Sequence, residues 1–473
     1  MQTTRRDILA GAGALTGVLA APQAGFTRRA PNILFIIADQ WSVAAADLSG
    51  GVRTPRTPAL DSLAASGTRF DNAYCTFPLC SPSRASLFTG RMPHECGVMF
   101  NYQGSDRGGR MPSSLPRMGE LFAVAGYDTA YFGKEHVGGE VYRGFNERGS
   151  IEFTGAGAVA DGSALDPVFV RDAIQFIRRA RTKPFLAVLS LINPHDICYI
   201  PVGPIPPEKK EMVGITTAFD PSYWVKDGDP VRPARYLRNS ELPPLRPNAR
   251  VINDLKPRRN WTEQQIRNYL ANYYLLMENT DWNVSLVLRA LRDAGVERDT
   301  LILFTSDHGE MMGAHGLFGK LNFFEEAARV PFVLTWPGVI PPGRIIRELV
   351  SGTDVLPTLL DYAGIPAPPS VTGRSVRPLV EGRKTVWRQF VVAETVRGRM
   401  VRSDTHKYMI YRRDTVVEHL FDMRNDPLET RDLADDPASV GVLQHHRDLL
   451  ASWGKDTGGD FDTVEREIQK WFS

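Results

Sequence analysis

The sequence predicts an α/β fold, a mostly parallel sheet sandwiched between helices, with a smaller C-terminal α+β subdomain of antiparallel strands and a helix. Three observations carry that reading. Short unbroken apolar runs alternate with helix-length stretches, each run ends in polar residues able to do chemistry, and the rhythm changes beyond Gly373. Strands buried on both faces read as continuous apolar runs, and alternation with helices is the pattern of parallel strands joined by helical crossovers.

The elements follow in order. The run Asn32 to Ala38 ends in Asp39 and Gln40. Helices are expected at Pro58 to Ser66 and Ser113 to Ala125, then at Asp172 to Arg181 ahead of the strand Phe185 to Ser190, which leads to Pro194-His195-Asp196. A long helix, Thr262 to Ala294, precedes the strand Thr300 to Thr305, which delivers Asp307-His308. Ligands in open α/β sheets bind beyond the carboxyl ends of the strands, so three polar clusters distant in sequence are expected on one edge. Residues 200–260 are rich in Pro, Arg and Lys and read as a long insertion. Beyond them, Gln389 to Thr395, Met400 to Arg402 and Lys407 to Tyr411 read as short strands, and Gly441 to Trp453 as a helix. The expected division is a leader over 1–24, a main domain over 31–375 and a subdomain over 376–473, which suits a chain of 473 residues, too long for one core.

Composition narrows the class. With 42% hydrophobic and 23% charged residues the chain is neither disordered nor a membrane bundle. A net charge of +2 argues against a general nucleic-acid binder while leaving room for a local basic patch that draws in an anion. Thr4-Arg5-Arg6-Asp7-Ile8-Leu9 followed by the Gly/Ala-rich stretch Ala10 to Ala21 is a twin-arginine export pattern, with small residues to Ala24 for cleavage. The stretch is too short and too weakly apolar to span a bilayer stably, so a periplasmic or secreted protein is expected. The 4 cysteines, Cys75, Cys80, Cys96 and Cys198, are too few for a disulfide framework.

Several residues then stand out for their chemistry. Cys80 precedes an expected helix start, where backbone amides and the helix dipole favour negative charge, so it suits a low-pKa thiolate or an anion site. Asp39, Gln40, Asp307 and His308 offer three oxygen-bearing groups and an imidazole, a set suited to a divalent cation. Lys134 and His136, two apart on an extended segment, are expected to face one anion from the same side. His195 follows a strand, and Lys320 lies in the glycine-flanked loop Gly316-Leu317-Phe318-Gly319-Lys320, with His315 a weaker candidate just before it.

The string Cys80-Ser81-Pro82-Ser83-Arg84, continued by Thr89-Gly90-Arg91, closely resembles the signature of type I, formylglycine-dependent sulfatases of the alkaline-phosphatase superfamily. Gly133-Lys134-Glu135-His136-Val137-Gly138, Pro194-His195, Thr57-Pro58-Ala59-Leu60-Asp61, Asp354 to Leu360, and His419-Leu420-Phe421-Asp422 with Asn425-Asp426-Pro427 extend the resemblance over about Pro31 to Pro437. It implies that a formylglycine-generating enzyme, reading Cys80, Pro82 and Arg84, converts Cys80 to 3-oxoalanine (formylglycine). It also implies a metal held by Asp39, Gln40, the modified Cys80, Asp307 and His308, with Ca2+ expected and Mn2+ as the alternative. Lys134, His136 and Arg84 would then hold the sulfate while His195 and Lys320 assist the leaving alcohol. The implied activity is sulfuric ester hydrolysis on a small or oligomeric sulfated substrate, a carbohydrate in particular.

Two departures matter. Gln40 stands where many members carry a second aspartate, and Glu135 stands where Trp is common and is expected to alter packing nearby more than the functional groups of Lys134 and His136. The Asp39-Gln40 pair makes a phosphonate monoester or phosphodiester hydrolase the rival reading. A second rival is an inactive sulfated-glycan binder using Arg246, Arg250, Lys256, Arg258 and Arg259.

Overall fold

Alternate residues of the first apolar run face opposite sides of a sheet, and because both sets are apolar the strand must be covered twice. The computed structural model describes residues 30–45, 55–103, 111–155, 161–199, 261–412 and 415–472, so the expected leader and the 200–260 insertion with its basic residues lie outside the described residues. Ten strands precede the C-terminal region: β1 (Asn32–Asp39), β2 (Thr68–Phe70), β3 (Ala73–Tyr74), β4 (Asp128–Lys134), β5 (Glu147–Phe153), β6 (Phe185–Pro194), β7 (Thr300–Ser306), β8 (Phe332–Thr335), β9 (Arg344–Ile346) and β10 (Val350–Ser351). Eight form one sheet in the order β5-β4-β6-β1-β7-β8-β2-β9, and β3 pairs with β10. The five strands from β5 to β7 run parallel, while β8 is antiparallel to both of its neighbours.

Register fixes the geography. Asp39 at the end of β1 lies opposite Pro194 of β6, Ala38 opposite Ser306 of β7, and Gly133 of β4 opposite Ser190 of β6. Asp39, His195 and Asp307 therefore leave the sheet at one edge, as the apolar runs predict, and Lys134 at the end of β4 joins them there. Ile33, Phe35 and Ile37 pack on one face with Ala85, Leu87 and Phe88 of the helix Cys80–Thr89. Leu34, Ile36 and Ala38 pack on the other face beneath the helices Asp161–Ile177 and Glu263–Asp293.

Element boundaries differ from expectation where partners come from afar. The helix expected at Asp172 to Arg181 is described over Asp161–Ile177, where the Asp196 carboxylate accepts from the Gly162 and Ser163 amides at 3.0 and 2.9 Å. The helix expected from Ser113 is confined to Met118–Val124.

Beyond the large sheet, β11 (Phe390–Thr395), β12 (Gly398–Ser403), β13 (His406–Arg412) and β14 (Val416–Asp422) form an antiparallel sheet in chain order, followed by the helices Val440–Thr457 and Phe461–Phe472. This is the α+β subdomain predicted, with one strand and one helix more than expected. It shares a core with the main sheet's loops, where Val391, Ala393, Met400 and Phe421 pack with Phe323, Phe324 and Leu349. All four cysteines are unpaired, and no helix among the described residues is long and apolar enough to cross a membrane.

Candidate active site

Cys80 is the first residue of the helix Cys80–Thr89, entered through an extended Leu79, so its side chain sits at the positive end of the helix dipole. It is fully buried. Its Sγ lies 3.1 Å from Lys320 Nζ, 3.3 Å from His308 Nε2 and 3.8 Å from Asp39 Oδ1. Burial opposes ionisation of the thiol, but the ammoniums of Lys320 and Lys134 and the His308 imidazole outweigh it and hold Cys80 well below the usual thiol range.

One turn along the helix, Arg84 ties the strand ends together. Its guanidinium reaches Asp39 Oδ2 at 3.0 Å, Asp307 Oδ2 at 2.9 Å, the Lys134 carbonyl at 2.8 Å and Ser190 Oγ at 2.7 Å. The resemblance puts Arg84 on the sulfate; its hydrogen bonds here go to protein groups, and they frame the carboxylates.

The oxygen-rich side of the site comes from β1 and β7. The ligand atoms of Asp39, Cys80, Asp307 and His308 all lie within 4.8 Å of one another. Burial together with the Asp39 charge pushes Asp307 up to about 6, a repulsion that a divalent cation relieves. His308 turns Nδ1 to the Gly309 carbonyl at 2.9 Å, which leaves Nε2 facing the site. Gln40 adopts φ 69, its amide nitrogen donating to Glu310 and its Oε1 accepting from Lys320 Nζ at 2.9 Å. Oxygen donors with one imidazole nitrogen on two carboxylates fit a hard divalent cation.

The opposite side is cationic. Lys134 Nζ lies 2.8 Å from Asp39 Oδ2. The expectation of an extended Lys134 to His136 segment fails, because β4 ends at Lys134 and His136 turns at φ 59, yet both side chains still lie in the electrostatic surroundings of Cys80. The cause is Glu135, expected to alter packing more than the two functional groups: its buried carboxylate accepts from the amides of Val137, Gly139 and Val141 at 2.7, 3.0 and 3.0 Å, curling the loop. Neither ring nitrogen of His136 has a well-aligned hydrogen bond, and the same holds for Nδ1 of the buried His195. Burial, reinforced by Lys134 and Lys320, drives His195 down to about 4, so its ring is neutral at pH 7. Asp39, Gln40, Arg84, Lys134, His136, His195, Asp307, His308 and Lys320 thus gather around Cys80. His315 lies apart from this group, buried and stacked on Phe324 at 4.0 Å.

Sequence reasoning noted Glu135 without its role in shaping the loop, and missed Glu310 and the tyrosines Tyr269 and Tyr273 on the long helix. Tyr273 Oη donates to the Gln40 carbonyl at 2.6 Å and Tyr269 Oη to Glu310 at 2.7 Å. No short-range pattern marks Glu310 or the two tyrosines, since Gln40 lies far from them in sequence and Tyr269 far from Glu310.

A buried cysteine flanked by ammoniums on one side and by carboxylates able to hold a cation on the other, at the carboxyl edge of a parallel sheet, is an arrangement suited to the hydrolysis of anionic esters. The chain belongs to the sulfatase family: the sulfatase profile matches residues 31–365, and that of the N-sulphoglucosamine sulphohydrolase C-terminal region matches 313–455. It is a sulfuric ester hydrolase. It is 29% identical over 452 residues to the Delta 4,5-hexuronate-2-O-sulfatase of Bacteroides thetaiotaomicron, covering 92% of this chain and 91% of that protein. The solved structure of a 2-O GAG sulfatase superposes with a TM-score of 0.76 at 30% identity, covering 92% of this chain and 94% of that one. The phosphonate monoester hydrolase of Agrobacterium radiobacter shares the fold at a TM-score of 0.68 and 21% identity, covering 90% of this chain and 96% of that one.

Proposed function

We propose that this chain removes sulfate from a sulfated carbohydrate, with Cys80 matured to formylglycine and Ca2+ held by Asp39, Gln40, Asp307 and His308 beside it. The observation that carries the reading is the position of Cys80, with Lys320 Nζ at 3.1 Å and His308 Nε2 at 3.3 Å. When present, the formylglycine supplies a hydrated-aldehyde nucleophile and the cation supplies positive charge for the sulfate oxygens. Lys134 and His136 bind the remaining sulfate oxygens. Arg84 acts from beneath, holding Asp39 and Asp307 in place. Lys320 and His195 serve the leaving oxygen; His195 starts neutral, and the arriving anion raises its affinity for a proton.

The carbohydrate assignment rests on the relatives named as hexuronate-2-O and 2-O GAG sulfatases. The twin-arginine leader over 1–24 would export the folded chain to the periplasm or beyond after maturation in the cytoplasm, ahead of a catalytic region over 31–375 and a subdomain over 376–473. The test pairs peptide mass spectrometry at position 80, on chain co-expressed with a formylglycine-generating enzyme, with rates on 2-O-sulfated hexuronate disaccharides, an aryl sulfate and a phosphonate monoester. An aldehyde at position 80 and the highest kcat/KM on the disaccharide are expected, with Cys80→Ala losing at least about 10^4-fold. Full activity in Cys80→Ala ends the formylglycine reading, and a phosphonate preference moves the chain to the rival class.

A further inference from the structure

Gln40 brings an ambiguity that an aspartate would not. A primary amide can present either its oxygen or its NH2 to a cation, and only the oxygen binds. Three groups meet this amide. Nε2 donates to the buried carboxylate of Glu310, while Oε1 accepts from Lys320 Nζ at 2.9 Å and from the Cys198 thiol at 3.2 Å. Glu310 itself meets only donors: besides Gln40 it accepts from Tyr269 Oη at 2.7 Å, Gly319 N at 2.6 Å and Met312 N at 3.3 Å. Rotating the Gln40 amide by half a turn would set its oxygen against that carboxylate and its NH2 against the Lys320 ammonium. Both contacts are repulsive.

We propose that Glu310 is the positioning residue that locks the Gln40 carbonyl oxygen toward the cation. From directly behind the amide it also supplies the negative charge that a carboxylate at position 40 would carry. The first shell loses a charge and the next shell returns it, through a hydrogen bond that also polarises the amide oxygen. The same carboxylate holds the amide of Gly319, which directly precedes Lys320, so one buried group sets both the cation ligand and the ammonium beside it. The inference rests on the cation reading of the site given above.

The test is an exchange of the two groups in the full chain, read by calorimetric titration with CaCl2 and by thermal melting with and without it. Glu310→Gln is expected to weaken Ca2+ binding about tenfold or more, the usual cost of losing an outer-shell partner. Adding Gln40→Glu to that variant restores the hydrogen bond with donor and acceptor exchanged and returns the lost charge. Affinity is then expected within about threefold of the native chain, a coupling between neighbours that separate effects would not give. If Glu310 merely buttresses Tyr269 and Gly319, changing Gln40 rescues nothing, and an unrescued loss overturns the inference alone. So does native affinity in Glu310→Gln. Should Glu310→Gln fail to fold, recovery of melting and Ca2+ binding in the exchanged pair supports the proposal, and failure of the pair to recover overturns it. A native chain that binds no Ca2+ overturns the cation reading and this inference with it.

Discussion

Glu135 illustrates how a single side chain shapes the site without facing the substrate. Burial raises its pKa and the three loop amides pull against that rise, with burial the larger effect. What the carboxylate secures is the left-handed turn at His136, φ 59, a conformation that costs a non-glycine residue about 1–3 kcal/mol and persists only where surroundings impose it. Glu135→Ala should therefore free the loop, lowering stability by about 2 kcal/mol. Displacing His136 by even an ångström should lower kcat/KM by about 10–100-fold. Glu135→Gln, keeping one acceptor oxygen, should recover part of both. Steady-state kinetics and urea unfolding of the two variants measure this; unchanged kcat/KM in Glu135→Ala would remove the loop from the mechanism.

At the scale of elements, a helix can be begun by a residue far away in the chain. The helix Pro58–Ser66 has no side-chain cap of its own, and Asp281 on the long helix accepts from its Ala59 and Leu60 amides at 3.1 and 2.9 Å. Asp281→Ala leaves those buried donors unpaired and should cost about 2 kcal/mol in chemical denaturation, whereas Asp281→Asn, which retains an acceptor, should cost less. A loss equal in the two variants would point to packing rather than capping. Such remote partners explain what the sequence leaves hidden. The strands β1, β6 and β7 are legible because an unbroken apolar run is a local property, and the polar residues at their ends, Asp39, His195 and Asp307, are legible for the same reason. By contrast β2 and β9 are three residues long, less than two periods of any alternation, and β5 is largely exposed, so none carries a readable pattern. The amides of Gly162 and Ser163 meet Asp196 from another element, and the role of Glu310 depends on the Gln40 side chain that no spacing rule connects to it. Chemistry concentrated in one string, as at Cys80 to Arg84, is legible; chemistry that needs two strings to meet becomes visible only once the sheet register is known.

For the whole molecule, the question is why the C-terminal sheet matters to a site built on the large one. Lys407 of β13 is fully buried and pairs with Glu325 at 2.5 Å and Glu429 at 2.8 Å, while donating to the Phe323 carbonyl at 3.0 Å. Phe323 also donates its amide to Tyr411 Oη at 3.2 Å, so two residues of β13 grip the segment that follows Lys320. Burial tends to raise Glu325, but Lys407, Arg329 and Arg402 overcome it and hold that carboxyl at about 2. Burial pushes Glu429 up to about 8 even with Lys407 opposing. Lys407→Met keeps the volume and removes the charge, leaving carboxyl groups buried without their cation, a change that costs about 3–5 kcal/mol. Glu325 then loses the largest of the charges that hold it below its unfolded value, and Glu429 rises further above the value of the unfolded chain. A carboxyl in that condition keeps its stability below the unfolded value and loses it as pH rises through the folded one. The melting deficit of Lys407→Met should therefore be smallest near pH 4–5 and grow toward pH 8. Because the grip on the segment behind Lys320 is lost as well, kcat should fall at every pH even where the fold survives. Melting curves at pH 5 and pH 8 alongside kcat separate the two effects: a deficit that does not change with pH would mean that packing, rather than buried charge, joins the C-terminal sheet to the catalytic edge.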